Sequence, residues 1–147
     1  MPGANARYAA IFEKYRPPGI KVRWKRGRKL SPAHANLRKA EMLVPPLASR
    51  EALGFAIHEC GHFWLRHFSP NEAPTLLHRD LYTKLNKLTL AQQEYEAERW
   101  TIAVMRFERV PVSRELRGLM RTYVAECLDQ DTPKRRTPSQ IRKWSTR

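Results

Sequence analysis

Two histidines four residues apart constrain this 147-residue chain more than any other feature. Residues 58–62 read His58-Glu59-Cys60-Gly61-His62, and residues i and i+4 share one face of an α-helix. Two imidazoles placed in this way can bind one tetrahedral zinc ion, and the Glu between them can reach the water that zinc acidifies. The spacing predicts His58 and His62 as metal ligands and Glu59 as the catalytic base of a metallopeptidase.

The sequence around this motif favours a helix over residues 50–68. Ser49 is a suitable N-cap, and Glu51 in the first turn complements the positive end of the helix. Apolar residues flank the motif on both sides, and Cys60 is expected to pack away from the metal. The alternative is a pair of core histidines with a salt-bridged Glu, but burying three polar groups without a metal is costly.

A catalytic zinc site needs a third protein ligand and an open fourth position. A second long helix is predicted over residues 90–108, and it carries Glu94, Glu96 and Glu98. Glu96 shares a stripe with Trp100 and Phe107, which weakly favours an inward direction, but Glu98 shares one with Ile102 and Met105, so periodicity does not choose among the three. Residues 100–107 are apolar nearly all round, so this helix is expected to be buried. A helix that continued through His67 would place that residue about 140° around from His62, on another face.

The remainder of the chain predicts a mixture of helices and short strands. Residues 5–15 have the spacing of an amphipathic helix. Ser113 begins another helix, on which one stripe holds Leu116, Met120, Tyr123 and Cys127. Ile20–Trp24 and Glu41–Val44 have strand composition and are expected to pair antiparallel.

The net charge of +14 is unevenly distributed. Residues 51–133 hold 10 basic and 12 acidic residues, whereas residues 1–50 and 134–147 together hold 18 basic and 2 acidic ones. Such basic ends suit non-specific nucleic acid binding, whose expected signature is a steep salt dependence, or they form an ordinary solvated surface. We expect one domain over residues 1–133, followed by a flexible basic tail over residues 134–147.

Cysteine use and hydropathy predict a cytoplasmic protein. The two cysteines provide no disulfide framework, the first ten residues lack an apolar signal core, and no apolar run approaches the length of a membrane helix.

Two segments resemble the ImmA/IrrE family of zinc metallopeptidases. HECGHFWLRH resembles the HExGHxxLxH helix of that family, and EAERWTIAVM resembles its EANRFAAxLL segment, with departures that include Glu98 for Asn and Trp100 for Phe. The Glu directly before Ala is the third zinc ligand in the family, which implies Glu96 here. The resemblance also implies a zincin-like α+β fold, mainly helical, with a small antiparallel sheet.

The resemblance further implies zinc-dependent cleavage of a protein partner, often a helix-turn-helix transcriptional repressor of phage, mobile-element or stress genes. The substrate is expected to add a strand to a sheet edge, at Ile20–Trp24 or Glu41–Val44. The competing hypotheses are a basic DNA-associated module and a repressor-binding protein, each with a structural or inactive zinc site. An intact Glu59 argues against a pure binder. Possible electrophilic donors, for which spacing gives no argument, are His34, His78, Tyr82 and Tyr95.

Overall fold

The computed structural model describes residues 5–26, 33–37, 39–65 and 90–131. It confirms a mixed α+β architecture that is mostly helical. The predicted tail at 134–147, three of the basic residues of 1–50 (Arg28, Lys29 and Arg38), and the candidates His67, His78 and Tyr82 lie outside the described residues. The described elements, in chain order, are α1 (Ala6–Tyr15), β1 (Lys21–Trp24), β2 (His34–Asn36), β3 (Glu41–Val44), α2 (Arg50–Trp64), α3 (Leu90–Phe107) and α4 (Arg114–Asp131).

Short polar side chains begin three of these helices. Asn5, Ser49 and Ser113 each accept hydrogen bonds from backbone amides two or three residues further along the chain, which satisfies amides that have no partner within the helix. The predicted helix starts at Ser49 and Ser113 are thereby confirmed. α2 ends at Trp64 rather than near residue 68.

The sheet is mixed, so the predicted antiparallel pairing of the first and last strands is wrong. Its order is β1-β3-β2, with β1 parallel to β3 and β2 antiparallel to β3. The cause is β2, a three-residue strand in a stretch that has no clear strand pattern. The chain reverses direction once before β2 and again after it, so β3 runs in the same direction as β1. Because β3 is central, Glu41–Val44 has no free edge for a substrate strand.

The core lies where α2 packs against the sheet, α1, α3 and α4. α3 is less buried than the apolar composition of residues 100–107 predicts, since the side chain of Phe107 is 73% exposed. Within the described ranges, no helix combines the length and the hydropathy that a membrane span requires. The largest fully buried side chains include Phe12, Met42, Leu53, Ile57, Met105 and Leu116.

A glycine lets α4 approach α2 closely. A Cβ atom on Gly54 would lie 2.5 Å from Cδ2 of Leu116, and Leu116 is fully buried and has little room to move. This contact places the first half of α4 beside the first half of α2, one helical turn before His58.

We expect Gly54→Ala to lower the free energy of unfolding by about 1–3 kcal/mol, because the added methyl group overpacks the contact with Leu116. Gly118→Ala on α4 is the matched control, since a Cβ atom there meets nothing within 4 Å. The control should gain about 0.5–1 kcal/mol from helix propensity alone. Urea denaturation of both variants tests this, and equal effects would show that α2 and α4 are not in close contact.

Candidate metal centre

The predicted motif lies on α2 with its polar side chains turned into the protein. His58, Glu59 and His62 are 6%, 6% and 8% exposed, respectively. The two imidazole rings have centroids 4.9 Å apart and are almost perpendicular. This arrangement is the shared helix face that the spacing predicts. Cys60 is fully buried within the hydrophobic core.

The third group at the two histidines is Glu94 of α3. Its Oε2 atom lies 2.7 Å from Nε2 of His58, and its Oε1 atom lies 3.2 Å from Nε2 of His62. One ligand atom from each of these three residues lies within 4.8 Å of the other two. The Glu94 side chain is only 13% exposed, so the carboxylate bridges both imidazoles in a largely dry environment.

The structure does not bring Glu96 to the histidines. Two residues along a helix correspond to a rotation of about 200°, so Glu96 lies on the opposite side of α3 from Glu94 and is exposed. The face of α3 that packs inward follows Ala91, Glu94, Glu98, Thr101 and Met105, spaced three or four residues apart. This spacing was the signal in the sequence that Glu94 faces inward. The aromatic residues on the stripe of Glu96 suggested instead that Glu96 faces inward.

The donor set fits a divalent metal ion. Two imidazole nitrogens and one carboxylate oxygen are ligands that zinc accepts in catalytic sites, and three protein ligands leave one position open. The carboxylate already faces both imidazoles, so one ion could bind among the three side chains in place of their direct contacts. His58, His62 and Glu94 are therefore the residues that could hold a metal.

The electrostatics of this cluster favour an ionised Glu94. Burial alone would raise the pKa of Glu94, but the charge of His62 and hydrogen bonds with both histidines outweigh it and hold that pKa well below its usual range. Burial lowers the pKa of His62, but the charge and hydrogen bond of the Glu94 carboxylate, together with the charge of Glu59, raise it above its ordinary value. Without a metal, these two shifts favour a buried ion pair between Glu94 and His62.

Two further carboxylates lie near the histidines and behave differently. Burial raises the pKa of Glu59, with the two histidines opposing the shift and Glu94 adding to it. Burial also raises the pKa of Glu98, which is 4% exposed, despite nearby arginines and His58. Oε2 of Glu98 and Nδ1 of His58 are buried, and no described group forms a hydrogen bond with either atom.

A cavity of about 170 Å³ opens beside these residues, and we call it the polar cavity. It is lined by Glu59, His62 and Glu94 on one side and by His34 of β2 on another. His34 was one of the possible donors suggested by the sequence. Tyr123 shares a predicted stripe of α4 with the buried Leu116 and Met120, but it is 52% exposed and also lines the polar cavity.

Tyr123 is the site residue that sequence reasoning missed. Burial around the hydroxyl and the charges of Glu94 and Glu59, among others, raise the pKa of Tyr123 to about 12. The phenol is therefore protonated at neutral pH and can donate a hydrogen bond. An aromatic residue on an otherwise apolar helical stripe gave no sign of this position in the sequence.

We expect Glu94→Gln to weaken zinc binding by at least about 100-fold, because loss of a ligand should cost more than loss of a group behind one. Glu96→Gln, the same change two residues away, should bind about one zinc per chain like the wild type. Isothermal titration with zinc measures both variants. The reverse ranking would assign the third ligand to Glu96, as the family resemblance implies.

We expect the metal-free protein to be most stable between about pH 4.5 and 6.5. The raised pKa of His62 contributes stability that is complete below its ordinary value near 6.5 and is lost as the pH rises. The lowered pKa of Glu94 contributes stability above its ordinary value of 4.5 that is lost as the pH falls. In EDTA, the melting temperature should therefore fall between pH 5.5 and pH 8.

Glu94→Gln should flatten this pH dependence, because Glu94 is the titrating group in one contribution and supplies both a charge and a hydrogen bond to His62 in the other. Glu96→Gln should keep it. Groups elsewhere titrate alike in all three proteins, so the difference between variants isolates the cluster. An unchanged slope in Glu94→Gln would exclude the His62–Glu94 ion pair.

Comparisons of the chain with protein-family models, with characterised proteins and with solved structures find no match. The resemblance of the two short segments to ImmA/IrrE peptidases therefore stays a prediction. Any function has to be argued from the site: two buried imidazoles and a carboxylate that can share one metal ion, with a second carboxylate and an open cavity beside them.

Proposed function

We propose that this protein is a zinc-dependent endopeptidase that hydrolyses a peptide bond within an extended segment of a protein partner. The observation that carries the proposal is the position of Glu59. It lies on the same helix as both imidazoles, and its carboxylate lines the polar cavity beside His62 and Glu94. A binding or structural metal site has no need of a carboxylate in this position.

His58, His62 and Glu94 would hold the zinc ion. The choice of zinc follows from the donors, since a His₂Glu set with an open position is typical of zinc hydrolases. When bound, zinc would supply Lewis acidity that polarises a carbonyl group and acidifies water. The shared carboxylate of Glu94 orients both imidazole Nε2 atoms toward one point.

Glu59 would move the proton. A general base works best when its pKa lies near the working pH, and burial shifts the pKa of Glu59 in that direction. Glu59 would take a proton from the attacking water and deliver it to the leaving amine nitrogen, which separates the two products of hydrolysis. Tyr123 and His34 border the same cavity, where either could donate a hydrogen bond to the carbonyl oxygen as negative charge develops on it.

The strand β2 favours an extended peptide as the substrate. Among the described strands β2 pairs only with β3, so its other edge has no described partner. Residues 33–35 line the polar cavity together with the site carboxylates. An extended segment that added to this edge would pass directly in front of Glu59. β2 thereby takes the role that the sequence assigned to the other two strands.

The identity of the partner is proposed from the family resemblance alone. A helix-turn-helix repressor would be cleaved in a region that can become extended. Binding of the basic chain ends to the same DNA would raise the local concentration of the peptidase near such a substrate.

We expect Glu59→Gln to reduce peptide cleavage by about 10²–10⁴-fold while leaving zinc binding intact, because the amide keeps the shape of the side chain but cannot accept the proton. The assay incubates zinc-loaded protein with a proteome-derived peptide library and identifies new termini by mass spectrometry. Glu96→Gln is the control and should cleave like the wild type. Cleavage that persists in Glu59→Gln, or no cleavage by a wild type carrying one zinc per chain, would refute the proposed activity.

A further inference from the structure

A second cavity of about 260 Å³ adjoins the candidate site, and we call it the apolar cavity. Glu59 and Tyr123 line both this cavity and the polar cavity, so the two meet at the candidate base. The apolar cavity extends past His58, whereas the polar cavity extends past His62 and Glu94. A chain lying across Glu59 would therefore meet a polar surface on one side and an apolar one on the other.

The walls of the apolar cavity come from α2 and α4. Phe55 lies one helical turn before His58 and Glu59 and shares their face of α2. Leu119 and Met120 contribute from α4. These walls approach one another because Gly54 brings α4 against α2, which ties the cavity to the packing of the core.

The exposure of these side chains is typical of a surface that binds an apolar group. Met120 is 4% exposed at the base of the cavity, whereas Leu119 is 42% exposed and Tyr123 is 52% exposed. Large exposed apolar groups beside a concave surface are unfavourable in water and are typical of ligand sites. The cavity exceeds the roughly 150 Å³ that suffices for a benzene molecule, so one large apolar side chain fits.

We propose that the apolar cavity is a specificity pocket that takes one large apolar side chain, such as Leu, Met or Phe, from the residue next to the cleaved bond. This inference rests on the proposed peptidase function and names its substrate class. The occupant is a substrate side chain because the cavity is continuous with Glu59. Glu126 at the cavity wall adds negative charge and disfavours acidic side chains.

The first test measures binding without any cleavage. Zinc-loaded protein carrying ¹³C-methyl methionine is titrated with N-acetyl-leucinamide and separately with N-acetyl-glutamate amide. The Met120 methyl resonance, assigned with Met120→Leu, should shift with the leucine probe and not with the acidic one. Met42 and Met105 are almost fully buried elsewhere in the core and serve as internal references.

The second test measures the specificity of cleavage. The wild type should cleave peptides with Leu beside the cleaved bond at least about tenfold faster, as kcat/KM, than matched peptides with Ala. Leu119→Arg should abolish that preference and favour acidic residues, because it places a positive charge at the wall. Phe107→Arg is the matched control, since Phe107 is more exposed than Leu119 and lines neither cavity.

The outcomes separate the two proposals. If the Met120 methyl resonance does not shift with the leucine probe, or shifts equally in Leu119→Arg, the pocket proposal is wrong. The first result would also be seen if another part of the chain filled the cavity. Glu59-dependent cleavage without apolar preference overturns the pocket and leaves the peptidase standing. A Met120 response without any Glu59-dependent cleavage shows an apolar binding site, and then the specificity pocket falls together with the peptidase.

Discussion

The candidate site depends on the close approach of α2 and α3. A Cβ atom on Gly61 would lie 2.9 Å from Cε3 of Trp100, and Ala97 is fully buried on the facing helix. With larger residues in these places the helix axes would separate, and a side chain as short as Glu94 would no longer reach both imidazoles. Gly61 stands between the two histidines but contributes through packing, not chemistry. The spacing inside the motif therefore matters for the helix partner as well as for the metal.

Placement, not residue type, gives three neighbouring carboxylates different chemistry. Glu94 faces two imidazoles, which keep its pKa low. Its carboxylate therefore stays ionised, which is the form that binds a metal. Glu59 is buried and shares the negative field of Glu94, so its pKa moves upward, as a proton-transferring group requires. Glu98 is one turn beyond Glu94 and its pKa is also raised by burial, but it lines neither cavity. Environments that push the pKa values of like groups apart commonly separate their roles.

Local signals in the sequence predicted the helix starts, the strand Glu41–Val44 and the shared face of the two histidines, because each depends on residues within one or two turns. The direction of α3 depends on what packs against it. Trp100 and Phe107 suggested an inward stripe, yet Phe107 is 73% exposed, and the inward stripe is formed by smaller residues together with Glu94.

The parallel pairing of β1 with β3 could not be predicted for a similar reason. It follows from β2, whose three residues are too few to show strand periodicity. Tyr123 illustrates the same limit at the site. Its spacing matches the core stripe of α4, but the position at which α4 crosses α2 leaves it beside the cavities. Contacts between distant segments, rather than local preferences, decide all three of these features.

The stability of this protein and its proposed activity are coupled through the same side chains. Nδ1 of His58 and Oε2 of Glu98 are buried without a described partner, and each such group costs about 1–3 kcal/mol. A sequence selected for stability alone would not bury unpaired polar groups beside a half-exposed apolar cavity. A metal ion that binds only the folded state stabilises it in proportion to the logarithm of its concentration over Kd. Metal binding would thus offset the free-energy cost of the buried polar groups at the site. The folded fraction and the metal-bound, catalytically competent fraction should therefore rise together.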